Sequence, residues 1–298
     1  MDQQLLVFVT VVEKENFSRA AEKLHMTQPA VSQYVQALER RVGARLLERS
    51  NKFIRPTKAG EVVLHHALEI IALYSRMQGL VDEMMYKASG SLAIGASYTF
   101  GEYVLPRLIA ELHAAYPLIK PTVVIGNTRY IADRVANRQL DVGIVEGDVA
   151  PDNAYVAPFA DDAMVVVVGA NHRLAQQSRV AIADLAQEAW VVREVGSGTR
   201  SVTEHMFAEN GLKPSSVMEF GSTQLIKQAV EEGLGISFLS HWAIRKELAL
   251  RTLHVVPLKG FPFVRQFSLV TQRTPFQTKA MELFLELLRT RVPQMSEG

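Results

Sequence analysis

Hydrophobic residues recur at helical spacing through the first third of the chain and then give way to short β-branched runs. The clearest period lies between residues 58 and 87. Val63, Ala67, Ile70, Tyr74, Met77, Val81 and Met84 follow one another at intervals of four and three, with Leu64, Leu68 and Ile71 as a second stripe. This seam predicts one long amphipathic helix. A helix of that length needs a partner for its apolar face, either a second copy of the chain or the protein's own core. Its position between two differently built regions favours dimerisation. Ala88-Ser89-Gly90-Ser91 then reads as a small-residue hinge.

Before the long helix, two short helical patterns are separated by a turn. Phe17 to Leu24 forms the first, with Ser18 as a candidate N-cap and Ala20, Ala21 and Leu24 facing inward. His25-Met26 is the turn. Thr27 caps the second helix, and Pro29 sits early in it, where a missing N–H costs nothing. Val31, Tyr34, Val35, Leu38 and Val42 are its core positions, Gly43 ends it, and Gln28, Ser32 and Gln36 share the opposite face. Two short helices joined by a tight turn, the second polar outside, form a helix-turn-helix pattern. The first residues of such a second helix reach base edges, and glutamine and serine suit that task. Gln28, Pro29, Ser32 and Gln33 are therefore base-contact candidates, with Gln36 further along the same face and Arg40 placed for phosphate. Short β-prone runs flank Ser50-Asn51-Lys52 and predict a wing whose Arg49, Lys52 and Arg55 meet phosphate or the minor groove.

Beyond residue 91 the pattern is α/β. Leu92–Ala96, Thr122–Gly126 and Asp141–Val145 read as strands, separated by helices over Glu102–Tyr116, which Pro117 stops, and from Asn127 to Gln139. The pattern restarts near Met164, with strands at Met164–Gly169, Trp190–Arg193 and Ile236–Leu239 and a terminal helix from Phe276 to Arg291. Strand and helix in alternation predict parallel sheet with right-handed crossovers. Two such units predict two lobes with a cleft between them.

Composition narrows the classes. The 298 residues carry 32 Lys and Arg against 31 Asp and Glu, a net charge of +1, and no cysteine. The absent thiols exclude disulfides, zinc fingers and a cysteine nucleophile, and fit a reducing cytoplasm. The start of the chain lacks a secretory pattern, and no apolar run is long enough to span a membrane. Charge is uneven, however: residues 14–58 hold ten basic and four acidic side chains. Such a segment suits a polyanion, and also suits a plain solvated face.

One loop stands out for chemistry. Arg193-Glu194-Val195-Gly196-Ser197-Gly198-Thr199-Arg200 follows a strand and precedes a helix, an arrangement that offers free N–H groups and hydroxyls to an anion. A capped turn is the plainer alternative. No Gly-Lys-Ser/Thr follows, so nucleotide hydrolysis has no support. Ser97-Tyr98-Thr99-Phe100, Asn127, Glu146 and Ser222-Thr223 sit at further strand ends, the usual ligand position in an open α/β sheet. Glu146 weighs against a highly charged ligand unless it is protonated or paired with an arginine. The eight histidines show no His-Glu-x-x-His spacing, no Gly-x-Ser-x-Gly elbow is present, and Asp161 and Asp162 point to opposite faces of a strand. An enzyme is thus the weaker reading. A solute carrier is weaker still, given the helix-turn-helix. No metal and no cofactor is expected beyond a small-molecule effector.

The stretch from Phe17 to Leu24, then Thr27-Gln28-Pro29-Ala30-Val31-Ser32, Leu38-Glu39, Gly43, Leu46-Leu47-Glu48-Arg49 and Pro56-Thr57-Lys58-Ala59-Gly60 resembles the LysR-type transcriptional regulators across the first sixty residues. The resemblance implies an N-terminal winged helix-turn-helix (1–58), a linker and dimerisation helix with hinge (59–90), and a two-lobed effector domain like the periplasmic binding proteins (91–298). Lobe 1 would take 91–161 and 267–298, and lobe 2 162–266. It further implies promoter DNA as partner, contacted also through Ser18, Arg19, Thr27 and Thr57, a homodimer or tetramer, and RNA polymerase as a further contact. The Arg-Glu-x-Gly-Ser-Gly-Thr-Arg run resembles the subgroup controlling carbon-fixation and sulfite-reduction operons, with Val195 where proline is common. That subgroup implies a small anion as effector, such as sulfite, sulfate or a phosphorylated metabolite.

Overall fold

Side-chain oxygens start the first helices of the computed structural model, which describes residues 2–49, 54–84, 88–147, 154–273 and 277–296. These fall into two units, 1–84 and 85–298. Asp2 caps α1 (Gln3–Lys14) and Asn16 caps α2 (Phe17–Leu24) by accepting from the amides of Ser18 and Arg19. The cap is therefore Asn16, not Ser18, which is the second residue of the helix. Asn16 is extended and already outside the helix, as capping requires. Thr27 caps α3 (Gln28–Val42), and Gly43 ends it at φ +77°, a left-handed conformation that suits glycine.

Val7, Phe8 and Val11 of α1, Ala20 and Ala21 of α2, and Val31, Val35 and Leu38 of α3 form one buried core, closed by Leu46 and Leu47. Val42 does not join it and is exposed, because the helix runs past the core before Gly43 turns the chain. Glu39 helps to fix that turn, its carboxylate accepting from the amides of Leu46 and Leu47. Strands β1 (Leu47–Arg49) and β2 (Ile54–Pro56) pair antiparallel as a wing. Its turn, with Lys52, lies outside the described residues, as do the side chains of Arg49 and Met84.

Helix α4 (Lys58–Met84) is continuous, as the periodicity predicts. Its two faces are used differently from that prediction. Val63 and Leu64 pack on the core of α1–α3, and Ala67 is 1% exposed. The apolar positions left uncovered are Val62, Ile70, Leu73, Met77 and Val81, each about half exposed. The N-terminal part of the predicted seam therefore serves the unit's own core. Its later part, at Ile70, Met77 and Val81, faces outward together with Leu73, and Val62 is exposed near the helix start.

The second unit is built on a seven-stranded mixed sheet. Strand β3 (Gly90–Ser97) absorbs Gly90 and Ser91, so the predicted hinge is shorter than four residues. It is followed by α5 (Tyr98–Tyr103) and α6 (Leu105–Ala115), not by one helix from Glu102. The break is at Val104, where Pro106 in the next first turn cannot extend the α5 hydrogen-bond ladder. Then come β4 (Ile119–Gly126), α7 (Thr128–Ala136), β5 (Val142–Glu146) and β6 (Ala154–Gly169). The other lobe holds β7 (Ala189–Arg193), α8 (Gly198–Glu209), β8 (Ser216–Phe220), α9 (Thr223–Glu231), β9 (Ser237–Ser240), α10 (His241–Leu250) and β10 (Leu253–Val255). The chain returns through β11 (Phe263–Gln272) to α11 (Lys279–Ser296), whose predicted start at Phe276 lies outside the described residues.

Among the described strands, β3–β4, β3–β5 and β7–β8 pair in parallel. Strands β6 and β11 run antiparallel to each other, and β11 to β5, so an all-parallel sheet is not formed. The cause is the return of the chain: β6 carries it from one lobe to the other and β11 carries it back. The two lie side by side, with a register shift between Phe267 and Ser268. Leu92, Ile94, Phe100, Phe267 and Phe284 centre the first lobe's core, onto which α11 packs, and Trp190, Val166, Met206 and Phe238 centre the second's.

The close fit of α4 against the wing yields a test. A Cβ on Gly60 would lie 2.0 Å from the carbonyl oxygen of Leu46. Alanine gains about 1 kcal/mol of helix propensity over glycine. Overpacking against fixed backbone costs about 1–3 kcal/mol, so the clash wins. Gly60→Ala should therefore lower the urea midpoint of the N-terminal unit; an unchanged or raised midpoint would show that the backbone yields freely there.

Candidate functional site

Two sites emerge, one in each unit. In the first, α3 presents Gln28, Pro29, Gln33, Gln36 and Arg40 as exposed residues, with Ser32 half-buried among them. Ser18 and Arg19 are exposed at the start of α2, and Thr27 is exposed at the cap of α3. Thr57 is engaged structurally: its hydroxyl donates to the carbonyl of Arg45 and accepts from the amide of Gly60, so it caps α4. Arg55 lies mid-strand on the wing.

In the second unit, the ends of β3 and β5, the middle of β6 and the starts of α5 and α8 surround one guanidinium on β11. Arg265 is buried. Its Nε donates to Asp162 at 2.7 Å, and its two terminal nitrogens donate to the hydroxyls of Thr199 at 2.9 Å and Thr99 at 3.2 Å. Glu146 stands 3.5 Å away and takes a hydrogen bond from Ser97. Ser240 donates to the other oxygen of Asp162 at 2.6 Å. The predicted Ser97, Thr99, Glu146 and Thr199 are thus brought together, around a cation the sequence reading did not single out. Its signal was present: a lone arginine inside the apolar run Phe263-Val264-Arg265-Gln266-Phe267.

Glu146 is fully enclosed. Burial pushes its carboxyl above the usual range and the nearby Asp162 adds to the rise, while Arg265 pulls it part of the way back. A rise in a buried acid means that the neutral form is favoured.

A second cluster lies beside the first. Arg193 is buried and forks onto Glu194, at 2.7 and 2.9 Å, while its remaining nitrogen donates to Thr223 at 3.1 Å. Its guanidinium lies over the ring of Tyr98, 4.4 Å from the centroid. Burial alone would raise the Glu194 carboxyl, but the bonded Arg193 overrides it and holds it below its usual value. Asn127 also donates to Glu194, at 3.2 Å.

The lobes approach most closely at α8. The Thr128 hydroxyl donates to the carbonyl of Glu146 at 2.8 Å and accepts from the amide of Gly198 at 3.2 Å. A Cβ on Gly198 would lie 1.7 Å from that Glu146 oxygen, so only glycine fits. Gly196, at φ +92°, turns the chain into the helix, and Ser197 is its N-cap without a side-chain capping bond.

Three predicted contacts lie elsewhere. The Phe100 ring packs in the first lobe's core against Phe159 and Phe267, since its helix turns that face inward. Arg200 reaches outward to Glu204 at 2.6 Å and Glu219 at 3.0 Å, with one bond back to the Arg193 carbonyl. Ser222 spends its oxygen capping α9. One unexpected cluster appears on α4: the ligand atoms of His65, His66 and Glu69 lie within 4.8 Å of one another, a spacing the search for His-Glu-x-x-His could not find. Among the described residues no helix is long and apolar enough to cross a membrane.

Known proteins match both units. Residues 3–61 fit the family described as bacterial regulatory helix-turn-helix protein, lysR family, and residues 87–293 fit the LysR substrate binding domain. The HTH-type transcriptional regulator CysL of Bacillus subtilis is 37% identical over 286 residues, covering 96% of each chain. A probable RuBisCO transcriptional regulator of Cyanophora paradoxa is 31% identical over 294 residues, covering 97% of this chain and 91% of that one. It falls in the carbon-fixation subgroup that the Arg193–Arg200 run resembles. The regulatory domain of Synechocystis PCC6803 CcmR, solved in complex with 2-PG, is 30% identical with a TM-score of 0.64, over 69% of this chain and 98% of that one. The two family matches span both units, and the chain belongs to the LysR family of DNA-binding transcriptional regulators.

Proposed function

We propose that this regulator is switched by a small oxyanion, such as sulfite, sulfate or a phosphorylated metabolite, held between the two lobes. The observation that carries the reading is the meeting of Thr99 and Thr199, one from each lobe, at the terminal nitrogens of Arg265. Hydroxyls and a guanidinium at the start of α8 are the donors an oxyanion uses. The CcmR domain solved with 2-PG, 2-phosphoglycolate, supports a ligand of this chemistry. The ligand biases one arrangement of the lobes over another, and so changes how subunits hold DNA.

The rest of the reading follows the same lines. Gln28, Pro29, Ser32 and Gln33 contact bases, and Arg40, Arg49, Lys52 and Arg55 contact backbone. The uncovered apolar face of α4 meets a second copy in a homodimer, and dimers pair as tetramers. The domain division is 1–58, 59–90 and 91–298, the protein works in the cytoplasm, and RNA polymerase is a downstream partner. Nothing in the site favours catalysis over binding, and the relatives are regulators.

Two experiments test the reading. Gln28→Ala and Ser32→Ala should change which sequences are bound, each good base contact carrying about 1–3 kcal/mol of discrimination. Arg55→Ala should weaken all sequences alike and reduce the salt slope by about one. Footprints over a randomised site library would refute the base-contact assignment if all three variants showed the same uniform loss. Ser97→Ala combined with Thr199→Ala should abolish the effector response and spare basal DNA binding; a normal calorimetric titration of that variant would remove the cleft assignment.

A further inference from the structure

We propose that one turn of α4 binds a divalent transition-metal ion through His65, His66 and Glu69. The site is separate from the effector cleft and does not depend on what that cleft holds.

His65 stands four residues before Glu69 and His66 three before it, the two spacings that bring helical side chains together. The ligand atoms of the three lie within 4.8 Å of one another. Nδ1 of His66 and a carboxylate oxygen of Glu69 are 3.1 Å apart, and the ring of His65 meets that of His66 edge-on, 5.1 Å between centroids. In a tetrahedral site with bonds of about 2.0–2.1 Å, donors stand about 3.4 Å apart. His66 and Glu69 already meet that spacing. Both imidazoles are exposed, so rotation about a side-chain bond brings in the third donor. The ion takes the place of the proton that Nδ1 shares with the carboxylate, and that proton shifts to the other ring nitrogen or leaves to solvent.

Two other histidines meet a single carboxylate, His172 with Glu188 at 3.2 Å and His205 with Glu209 at 3.1 Å. Among the described residues, the turn of α4 is where three donors gather. Two imidazoles and one carboxylate suit zinc, nickel or copper, whereas magnesium and calcium take oxygen donors. Along the helix no lysine or arginine stands between Lys58 and Arg76 to compete for the carboxylate. The turn also interrupts the uncovered stripe. Val62, His66, Glu69, Leu73 and Met77 follow at intervals of four, three, four and four, a row that is apolar except for the His66–Glu69 pair. The ion therefore stands on the outward face, with its remaining coordination positions open to water. Donors one turn apart converge in the helix and not in the unfolded chain, so binding stabilises α4. The turn it clips contains the buried Ala67 and precedes the exposed Ile70.

The test is a calorimetric titration of the untagged full-length protein, freed of metal by chelation, with zinc chloride. The parent should take up one ion per chain, and zinc should raise its melting temperature. H65A and H66A should each weaken uptake by about tenfold or more, since loss of even a group that supports a ligand costs that much. E69Q, which keeps the shape and removes the charge, should weaken it likewise. H205A, which breaks the two-donor pair on α8, should leave uptake unchanged. Both imidazoles on α4 are exposed, so their removal should leave the fold intact. A parent that binds no zinc overturns the site. So does an H65A/H66A double variant that binds zinc and is stabilised by it as the parent is. An H205A that loses as much as H66A also overturns it, because the ion is then spread over surface histidines.

Discussion

Arg265 and Asp162 face each other as a cross-strand pair on β11 and β6, the two strands that link the lobes. The contacts between the lobes at Thr99 and Thr199 depend on that pair for their place. A buried guanidinium without its carboxylate would cost several kcal/mol, because desolvation of a charge is not recovered by packing. The strand register sets the two residues opposite each other, so the pairing is local to the two strands. The bonds to Thr99 and Thr199 differ in kind. Each ties the hinge charge to one lobe, and each is a bond to a neutral hydroxyl. Under the proposed switch, a lobe movement would break the hydroxyl contacts and leave the ion pair intact.

Much of this was legible in the sequence, and the reasons are local. The helix-turn-helix followed from apolar spacing, and Thr27 and Gly43 marked the ends of α3. Ser97, Thr99, Glu146 and Thr199 were recognisable because hydroxyls and carboxylates at strand ends are where ligands meet α/β sheets. The cation at their centre was not, because Arg265 comes from a strand that the apolar pattern of residues 261–267 did not separate from its surroundings. Its partner Asp162 is 103 positions away, and register between such distant strands leaves no local mark. The same non-local cause hid the antiparallel pairing of β6 and β11. Capping was misread by two residues at α2, where both Asn16 and Ser18 are good caps and only the backbone decides.

The linker helix shows the limit of periodicity most clearly. Positions 63, 67, 70, 74, 77, 81 and 84 form a faultless seam on paper. A helix that spans two environments has two apolar faces, and one period runs through both. Val63 and Leu64 answer to the core of α1–α3, whereas Ile70, Leu73, Met77 and Val81 have no cover among the described residues. Half-exposed residues of this size, four in a row along one face, each forgo about 1 kcal/mol or more of burial until something packs on them. The stretch most able to pair with a second copy is thus the half of α4 remote from the core of α1–α3. Pairing there leaves the α3 face free, a requirement for any protein that must grip DNA as a dimer.

The energy available to the switch can be bounded from the same contacts. The two bonds from Arg265 to hydroxyls already have a charged donor and are worth about 1.5–3 kcal/mol each. An oxyanion in place of the hydroxyls charges the acceptor as well and adds about 1 kcal/mol or more per bond. The differential is then a few kcal/mol, below the roughly 5.5 kcal/mol needed to carry a two-state equilibrium from one extreme to the other. On the proposed oxyanion switch, a single small anion at this site shifts the population by one to two orders of magnitude, a graded response. A sharper response requires the effect to be summed across subunits, and on the proposed dimer that would make the uncovered face of α4 as much a part of the sensor as the cleft. The chemistry of the ligand sets the size of each step, and the number of coupled copies sets the steepness.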